Sequence, residues 1–112
     1  MKIMQRKDGD ILIVEMSGRM TIGQGDAEAR EAILAALESG EKKILLDMGD
    51  VPMVDSAGLG ELISVYTVAH RSNAAMKLLK ISARVKEVMN ITRMYGLFDI
   101  FDDKAAAIAS FC

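Results

Sequence analysis

An almost continuously apolar run, Ile11-Leu12-Ile13-Val14-Glu15-Met16, limits the possible folds of this chain more than any other stretch. Such a run predicts a strand that is covered by other parts of the protein on both faces. It is preceded by Asp8-Gly9, a dipeptide suited to tight hairpin turns, and by a strand pattern over residues 2–7. The chain is therefore predicted to begin with an antiparallel hairpin whose second strand, residues 10–17, lies inside a sheet.

Helical and strand patterns alternate after this hairpin. In the helical patterns, apolar residues recur at the spacing of one helix face, as Leu59, Leu62 and Tyr66 do. Strands are predicted at residues 43–47, 76–81 and 97–101, and helices after the caps Asp26 and Ser82, over residues 56–72 and over residues 102–111. The order β-β-α-β-α-β-α-β-α predicts one α/β domain over residues 1–112, a sandwich of about four helices and a mixed sheet, in which parallel strands follow the antiparallel hairpin.

The composition argues against several classes of protein. The chain is 51% hydrophobic and 27% charged with a formal net charge of -2, and it lacks the basic stripe of a nucleic-acid-binding protein. Its apolar runs are shorter than the roughly 20 residues that a membrane span needs, and its N-terminus lacks the apolar segment of a signal peptide. The single cysteine, Cys112, excludes an internal disulfide. We expect a cytoplasmic protein that binds neither membranes nor nucleic acid.

Two loops are predicted to lie at the same edge of the sheet. In open α/β sheets, functional sites lie beyond the C-terminal ends of the strands, where Gly18–Gly25 and Asp47–Ser56 are expected to meet. These loops carry Met20 and Met53, whose flexible side chains are suited to contact with a partner. We therefore expect the functional site at this edge.

Ser56 stands where a buried strand leads into the N-terminus of a helix, the end at which negative charge is best tolerated. A nucleophilic serine would need a nearby base, but the only histidine, His70, is about 21 Å away along a continuous helix. Ser56 is then either the cap of this helix, or Asp55 is the cap and the Ser56 hydroxyl points outward. The local sequence leaves these two alternatives open.

Two further kinds of chemistry are weakly supported at this edge. Gly58 and Gly60 lie near a helix start, but the lysine of a phosphate-binding loop is missing. Asp47 could accept a phosphoryl group, as in response-regulator receivers, or join neighbouring aspartates around a divalent ion. Receivers also need an acidic pair after the first strand, whereas the early strands of this chain end in Met16-Ser17-Gly18. We predict no metal and no cofactor, and keep the receiver as the less favoured alternative.

The stretch Asp55-Ser56-Ala57-Gly58-Leu59-Gly60, after the strand end Leu46-Asp47, resembles the signature of STAS domains, in particular of single-domain bacterial anti-sigma factor antagonists. The likeness covers nearly the whole chain, including the opening hairpin and the segment Gly96–Phe101. It departs before the first helix, where many members have Gly-Glu-Leu-Asp or a similar sequence. This chain has Gly18-Arg19-Met20-Thr21-Ile22-Gly23-Gln24-Gly25-Asp26 there, which puts the identity of the partner in question more than the fold.

The resemblance implies a phosphorylation switch. The unphosphorylated protein would bind an anti-sigma factor that is also a serine kinase, phosphorylation of Ser56 would end this binding, and a phosphatase would reset it. The chain would be a binder and substrate, not an enzyme, because ATP belongs to the kinase. The alternative is a STAS module of another signalling or lipid-transport complex, without phosphorylation of Ser56. The residues predicted to contact the partner are Met20, Thr21, Ile22, Gly23, Gln24, Met53, Asp55, Ser56, Ala57, Gly58, Gly60 and Glu61.

Overall fold

The structure is a computed structural model that describes residues 1–111. The strands are β1 (Lys2–Asp8), β2 (Ile11–Ser17), β3 (Lys43–Asp50), β4 (Ala75–Leu79) and β5 (Ile100–Phe101). The helices are α1 (Asp26–Glu38), α2 (Ser56–Arg71), α3 (Ala83–Ile91) and α4 (Lys104–Ala109), and Tyr95–Leu97 form a 3-10 turn. The predicted order of strands and helices is confirmed, whereas the expectation for Cys112 lies outside the described residues.

The strands form one sheet in the order β1-β2-β3-β4-β5. β1 pairs antiparallel with β2, and each later pair of neighbours is parallel. Parallel neighbours need a crossover connection, and α1, α2 and α3 lie in the three crossovers. The predicted mixed sheet, an antiparallel hairpin followed by parallel strands, is confirmed.

Helices cover both faces of this sheet. Leu12 and Val14 of β2 pack in one core with buried residues of α1, α2 and α3. Ile11 and Ile13 pack in a second core with Ala107 of α4. Because successive strand side chains point to opposite faces, β2 is buried on both sides, which accounts for its almost continuously apolar sequence.

The start of α1 differs from the prediction that Asp26 caps it. The N-cap is Gly25, which has a φ of 85° and makes no side-chain capping hydrogen bond, and Asp26 is the first helical residue. Glycine tolerates this left-handed conformation, so the chain enters the helix one residue earlier than predicted. Asp26 and Glu28 still lie in the first turn, where the helix dipole stabilises negative charge.

The last strand and the last helix are both shorter than predicted. β5 has only two residues, because Tyr95–Leu97 form a turn and Phe98 is buried against Tyr66, with 5.3 Å between the ring centroids. α4 begins only after its N-cap, Asp103.

None of the helices within residues 1–111 is long and apolar enough to span a membrane.

β3 extends beyond its predicted end to Asp50, and this extension brings two loops together. A register shift in the pairing of β2 with β3 places Ser17 opposite Asp50. The Gly18 N–H then donates to the Asp50 carbonyl at 3.0 Å, and the Met20 N–H donates to the Met53 carbonyl at 3.0 Å. The two loops therefore meet at one edge of the sheet, as the sequence predicts.

Candidate functional site

The rim loop, residues Gly18–Gly25, ends in a tight turn with Ile22 at its tip. Thr21 and Gln24 exchange two backbone hydrogen bonds of 2.9 Å around Ile22-Gly23. Gly23 has a φ of 70°, in the left-handed region that favours glycine. A Cβ atom at Gly25 would lie 2.1 Å from the Arg19 carbonyl oxygen, so this position also requires glycine. The turn is thus fixed by hydrogen bonds and by its glycines.

The rim loop packs directly against the first turn of α2. A Cβ atom at Gly58 would lie 1.9 Å from the Met20 carbonyl oxygen, so glycine is what permits this approach. The Met20 side chain is fully buried, and Gly58 is buried as well. Neither the Met20 side chain nor Gly58 is accessible at the surface of the chain, and contact of these two residues with a partner stays a prediction. Both residues hold the loop against the helix.

The Asp55 carboxylate joins the rim loop to α2 a second time. Its Oδ1 accepts a hydrogen bond from the Gly58 N–H at 2.9 Å, which caps the helix, and its Oδ2 accepts one from the Ile22 N–H at 3.0 Å. These two N–H groups, Gly58 first, lower the pKa of Asp55 below that of an ordinary aspartate. Both carboxylate oxygens are thus engaged within the chain.

Ser56 is the first residue of α2 and is exposed. Because Asp55 supplies the capping oxygen, the Ser56 hydroxyl is not needed to cap the helix. The structure therefore decides between the two alternatives that the local sequence leaves open. A hydroxyl group stands at the surface, at the N-terminus of α2 and beside the rim loop.

The other residues predicted to contact a partner differ in their exposure. Ile22 has 77% of its surface exposed. Gly23, Gln24 and Gly60 are also exposed, and Thr21, Met53, Ala57 and Glu61 are half-buried.

The Glu61 carboxylate is 3.1 Å from the Arg30 guanidinium of α1. The sequence analysis missed Arg30, because nothing local relates two residues that meet only when α1 and α2 pack together.

The structure gives no support to the other kinds of chemistry. The Asp47 Oδ1 accepts a hydrogen bond of 3.0 Å from the Gly49 N–H, so this carboxylate stabilises its own turn. No group of three or more His, Cys, Asp or Glu side chains in residues 1–111 is placed to hold a metal ion. His70 lines a cavity of about 200 Å³ near the other end of α2, about 21 Å along the helix from Ser56. It cannot act as a base for the Ser56 hydroxyl.

Comparison with known proteins places the chain in a family. It matches the model of the STAS domain over residues 2–107. It is also 30% identical over 112 residues to BtrV of Bordetella bronchiseptica, a proposed anti-sigma factor antagonist, and this match covers 99% of the chain and 95% of BtrV. The chain belongs to the STAS domain family.

Two solved structures share its fold. A proposed anti-sigma factor antagonist from Thermotoga maritima superposes with a TM-score of 0.89 at 20% identity, over 96% of this chain and 92% of that one. The Bacillus cell fate determinant SpoIIAA, in its phosphorylated form, superposes with a TM-score of 0.75 at 15% identity, over 99% of this chain and 100% of that one. At such low identities the likeness establishes a common fold alone.

Proposed function

We propose that this protein is an anti-sigma factor antagonist controlled by phosphorylation of Ser56. The unphosphorylated form binds an anti-sigma factor that is also a serine kinase, and this binding frees the sigma factor. The kinase transfers phosphate from ATP to Ser56, the complex dissociates, and a phosphatase restores the binding form. The chain is then a binder and substrate rather than an enzyme, acts in the cytoplasm and needs no cofactor of its own.

One observation carries this proposal: the Ser56 hydroxyl is exposed at the start of α2 because Asp55 already caps that helix. A kinase can reach such a hydroxyl without unwinding the helix. The name of BtrV supports the same class of function, since it describes a proposed anti-sigma factor antagonist.

A phosphate on Ser56 would change the affinity for the partner more than the fold of the protein. It adds a charge of about -1.5 to -2, which the N-terminus of α2 can accommodate. In a packed interface the same charge must be desolvated, and the neighbouring Asp55 adds a second negative charge. We therefore expect a large loss of affinity with little change in the fold.

The proposal is tested by incubating the protein with a purified candidate kinase and ATP and mapping the modification by mass spectrometry. We expect phosphate on Ser56, none after Ser56→Ala, and weak kinase binding by Ser56→Asp. The control is Ser64, another exposed serine of α2. Ser64→Ala should leave phosphorylation unchanged, and Ser64→Asp should leave binding unchanged.

Tight kinase binding by Ser56→Asp would contradict the switch. Binding of the wild type without any phosphate on Ser56 would favour the alternative, a STAS module that assembles another complex. An acid-labile phosphate on Asp47 would instead support receiver-like chemistry.

A further inference from the structure

We propose that Ile22 is the apolar anchor of the partner-binding surface and that it inserts into an apolar pocket of the anti-sigma factor kinase. This inference rests on the proposed function and identifies the kind of contact that gives the complex its affinity. It assigns the partner contact to an aliphatic side chain at the tip of the rim loop, rather than to a charged group.

Ile22 combines high exposure with a position beside the phosphorylation site. The large hydrophobic residues exposed among residues 1–111 are Met4 (58%), Ile22 (77%), Ile91 (73%) and Leu97 (38%). A single exposed hydrophobic residue is common and has no meaning by itself. Ile22 differs from the others because its N–H is hydrogen-bonded to Asp55, the residue next to Ser56.

Hydrogen bonds order the backbone at Ile22. The Thr21–Gln24 hydrogen bonds close the turn on one side of it, and the Asp55 carboxylate fixes its backbone N–H. Behind the turn, Met20 pairs with Val54 in a parallel bridge. An anchor whose backbone is already ordered loses little backbone entropy when it binds, so more of its burial energy contributes to affinity.

The charges around Ile22 favour an apolar partner site. Arg19 is the only charged residue in the rim loop, and the turn itself, Thr21–Gln24, has none. Both oxygens of the Asp55 carboxylate accept hydrogen bonds from the chain, and the Glu61 carboxylate is paired with Arg30. The complementary surface is therefore an apolar pocket, and its affinity should depend only weakly on salt.

An apolar contact here also fits the proposed switch. A phosphate on Ser56 would place a nearly divalent anion at the edge of a surface that excludes water on binding. The cost of desolvating that charge would oppose the burial of Ile22. The same residue that gives affinity would thus make the complex sensitive to phosphorylation.

The test uses the purified kinase that phosphorylates Ser56 and measures its affinity for four forms of the full chain. We expect Ile22→Ser to weaken binding about 10- to 100-fold, as loss of an interface anchor does. Ile22→Val, which keeps an aliphatic side chain, should bind within about fivefold of the wild type. Ile91→Ser, which removes an equally exposed isoleucine from α3, should bind within about twofold.

Two further measurements distinguish an apolar anchor from a loss of stability and from a contact between charges. The thermal midpoint of Ile22→Ser should lie within about 2 °C of the wild type, because an exposed side chain adds little to stability. Raising the salt from about 0.05 to 0.5 M should change the wild-type affinity less than about fivefold, because apolar contacts are not screened.

Equal affinity of Ile22→Ser and Ile91→Ser would overturn the anchor while leaving phosphorylation and release of the wild type intact. A loss of more than about 100-fold with salt would also overturn it, since charges would then dominate. Self-association of the wild type that Ile22→Ser abolishes, with kinase binding unchanged, would assign Ile22 to a contact between copies of this chain. Absence of any kinase that binds and phosphorylates the wild type would refute the proposed function and the anchor together.

Discussion

Asp55 connects the two parts of the candidate surface through one carboxylate. Its Oδ1 caps α2, and its Oδ2 holds the Ile22 N–H of the rim loop. The residue next to it, Ser56, is thereby left with an exposed hydroxyl. At the scale of single residues, capping by aspartate rather than serine leaves this hydroxyl available for the proposed phosphorylation.

Replacing Asp55 should change the pH dependence of stability. The pKa of Asp55 is lowered by the Gly58 and Ile22 N–H groups, so the carboxylate stabilises the folded state above its unfolded pKa. That contribution is lost as the pH falls through the folded pKa. Asp55→Ala should lower the free energy of unfolding at neutral pH by about 0.5–2 kcal/mol, the usual cost of losing a cap.

Denaturant unfolding between pH 5 and pH 2 measures this effect. The wild type should lose more stability over this range than Asp55→Ala, because the variant lacks the ionisable cap. Asp102→Ala, at an exposed aspartate in the β5–α4 connection, serves as the control and should follow the wild type. Identical pH profiles for the wild type and Asp55→Ala would show that the carboxylate contributes nothing in its charged form.

Gly58 and Gly60 lie two residues apart in α2 but should respond oppositely to alanine. Gly58→Ala places a methyl group against the Met20 carbonyl oxygen, so it should lower the free energy of unfolding by about 1–3 kcal/mol or displace the rim loop. At Gly60 a Cβ atom meets nothing within 4 Å, so Gly60→Ala should raise stability by about 0.5–1 kcal/mol. Thermal unfolding of both variants checks this. Equal stability of the two would mean that the rim loop does not contact α2 as described.

At the scale of elements, most of the fold follows from local patterns in the sequence. The apolar runs of β2 and β3 and the helical spacing of α2 identify buried strands and a helix without further knowledge. The exact ends of the strands cannot be predicted from these patterns, because they depend on contacts with residues that are distant in the sequence. β5 is cut short where Phe98 packs against Tyr66, and β3 is extended where it pairs with the end of β2.

The candidate site could be predicted only in part, because local patterns indicate its position but not the contacts between distant residues. Capping preferences indicate a helix start at Asp55–Ser56, and a general rule of α/β sheets places the rim loop beside it. The burial of Met20 and Gly58 could not be predicted, because it results from the path of the rim loop across α2. The pairing of Arg30 with Glu61 likewise exists only once α1 and α2 are packed.

The short helix α4 depends on a lysine from the sheet. Six residues are too few for a stable isolated helix, so tertiary contacts must hold it. The Lys77 Nζ donates to the Ser110 carbonyl and hydroxyl oxygens at 2.9 Å and lies 4.7 Å from the centroid of the Phe111 ring. These contacts fasten the C-terminal segment to the second face of the sheet.

Lys77→Met should therefore loosen α4 while leaving the partner surface unchanged. We expect a loss of about 1–3 kcal/mol, the contribution of hydrogen bonds from a charged donor, and faster hydrogen exchange of the α4 amides. Lys86→Met, which removes a lysine whose Nζ lies 5.5 Å from the Tyr95 ring centroid, should cost less than about 1 kcal/mol. Unchanged exchange in α4 after Lys77→Met would show that apolar packing of Ala107 and Ile108 holds this helix without the lysine.

At the scale of the whole molecule, the sheet has central strands β2 and β3 that are buried on both faces, and the candidate surface lies at one edge of the sheet. Residues of α2 and of the rim loop are held there by backbone hydrogen bonds, by the Gly58 contact and by Asp55. A surface held in this way can lose a partner through one added charge without any change in fold. We propose that phosphorylation of Ser56 acts in this way.

The most direct test compares the affinity of the kinase for the unphosphorylated protein and for the protein phosphorylated on Ser56, with the fold of both forms followed by NMR. The expected result is binding that is at least about 100-fold weaker after phosphorylation, about 2.7 kcal/mol, with chemical-shift changes confined to the start of α2 and the rim loop. Affinities within about threefold of each other would contradict it, and so would shift changes spread throughout the sheet.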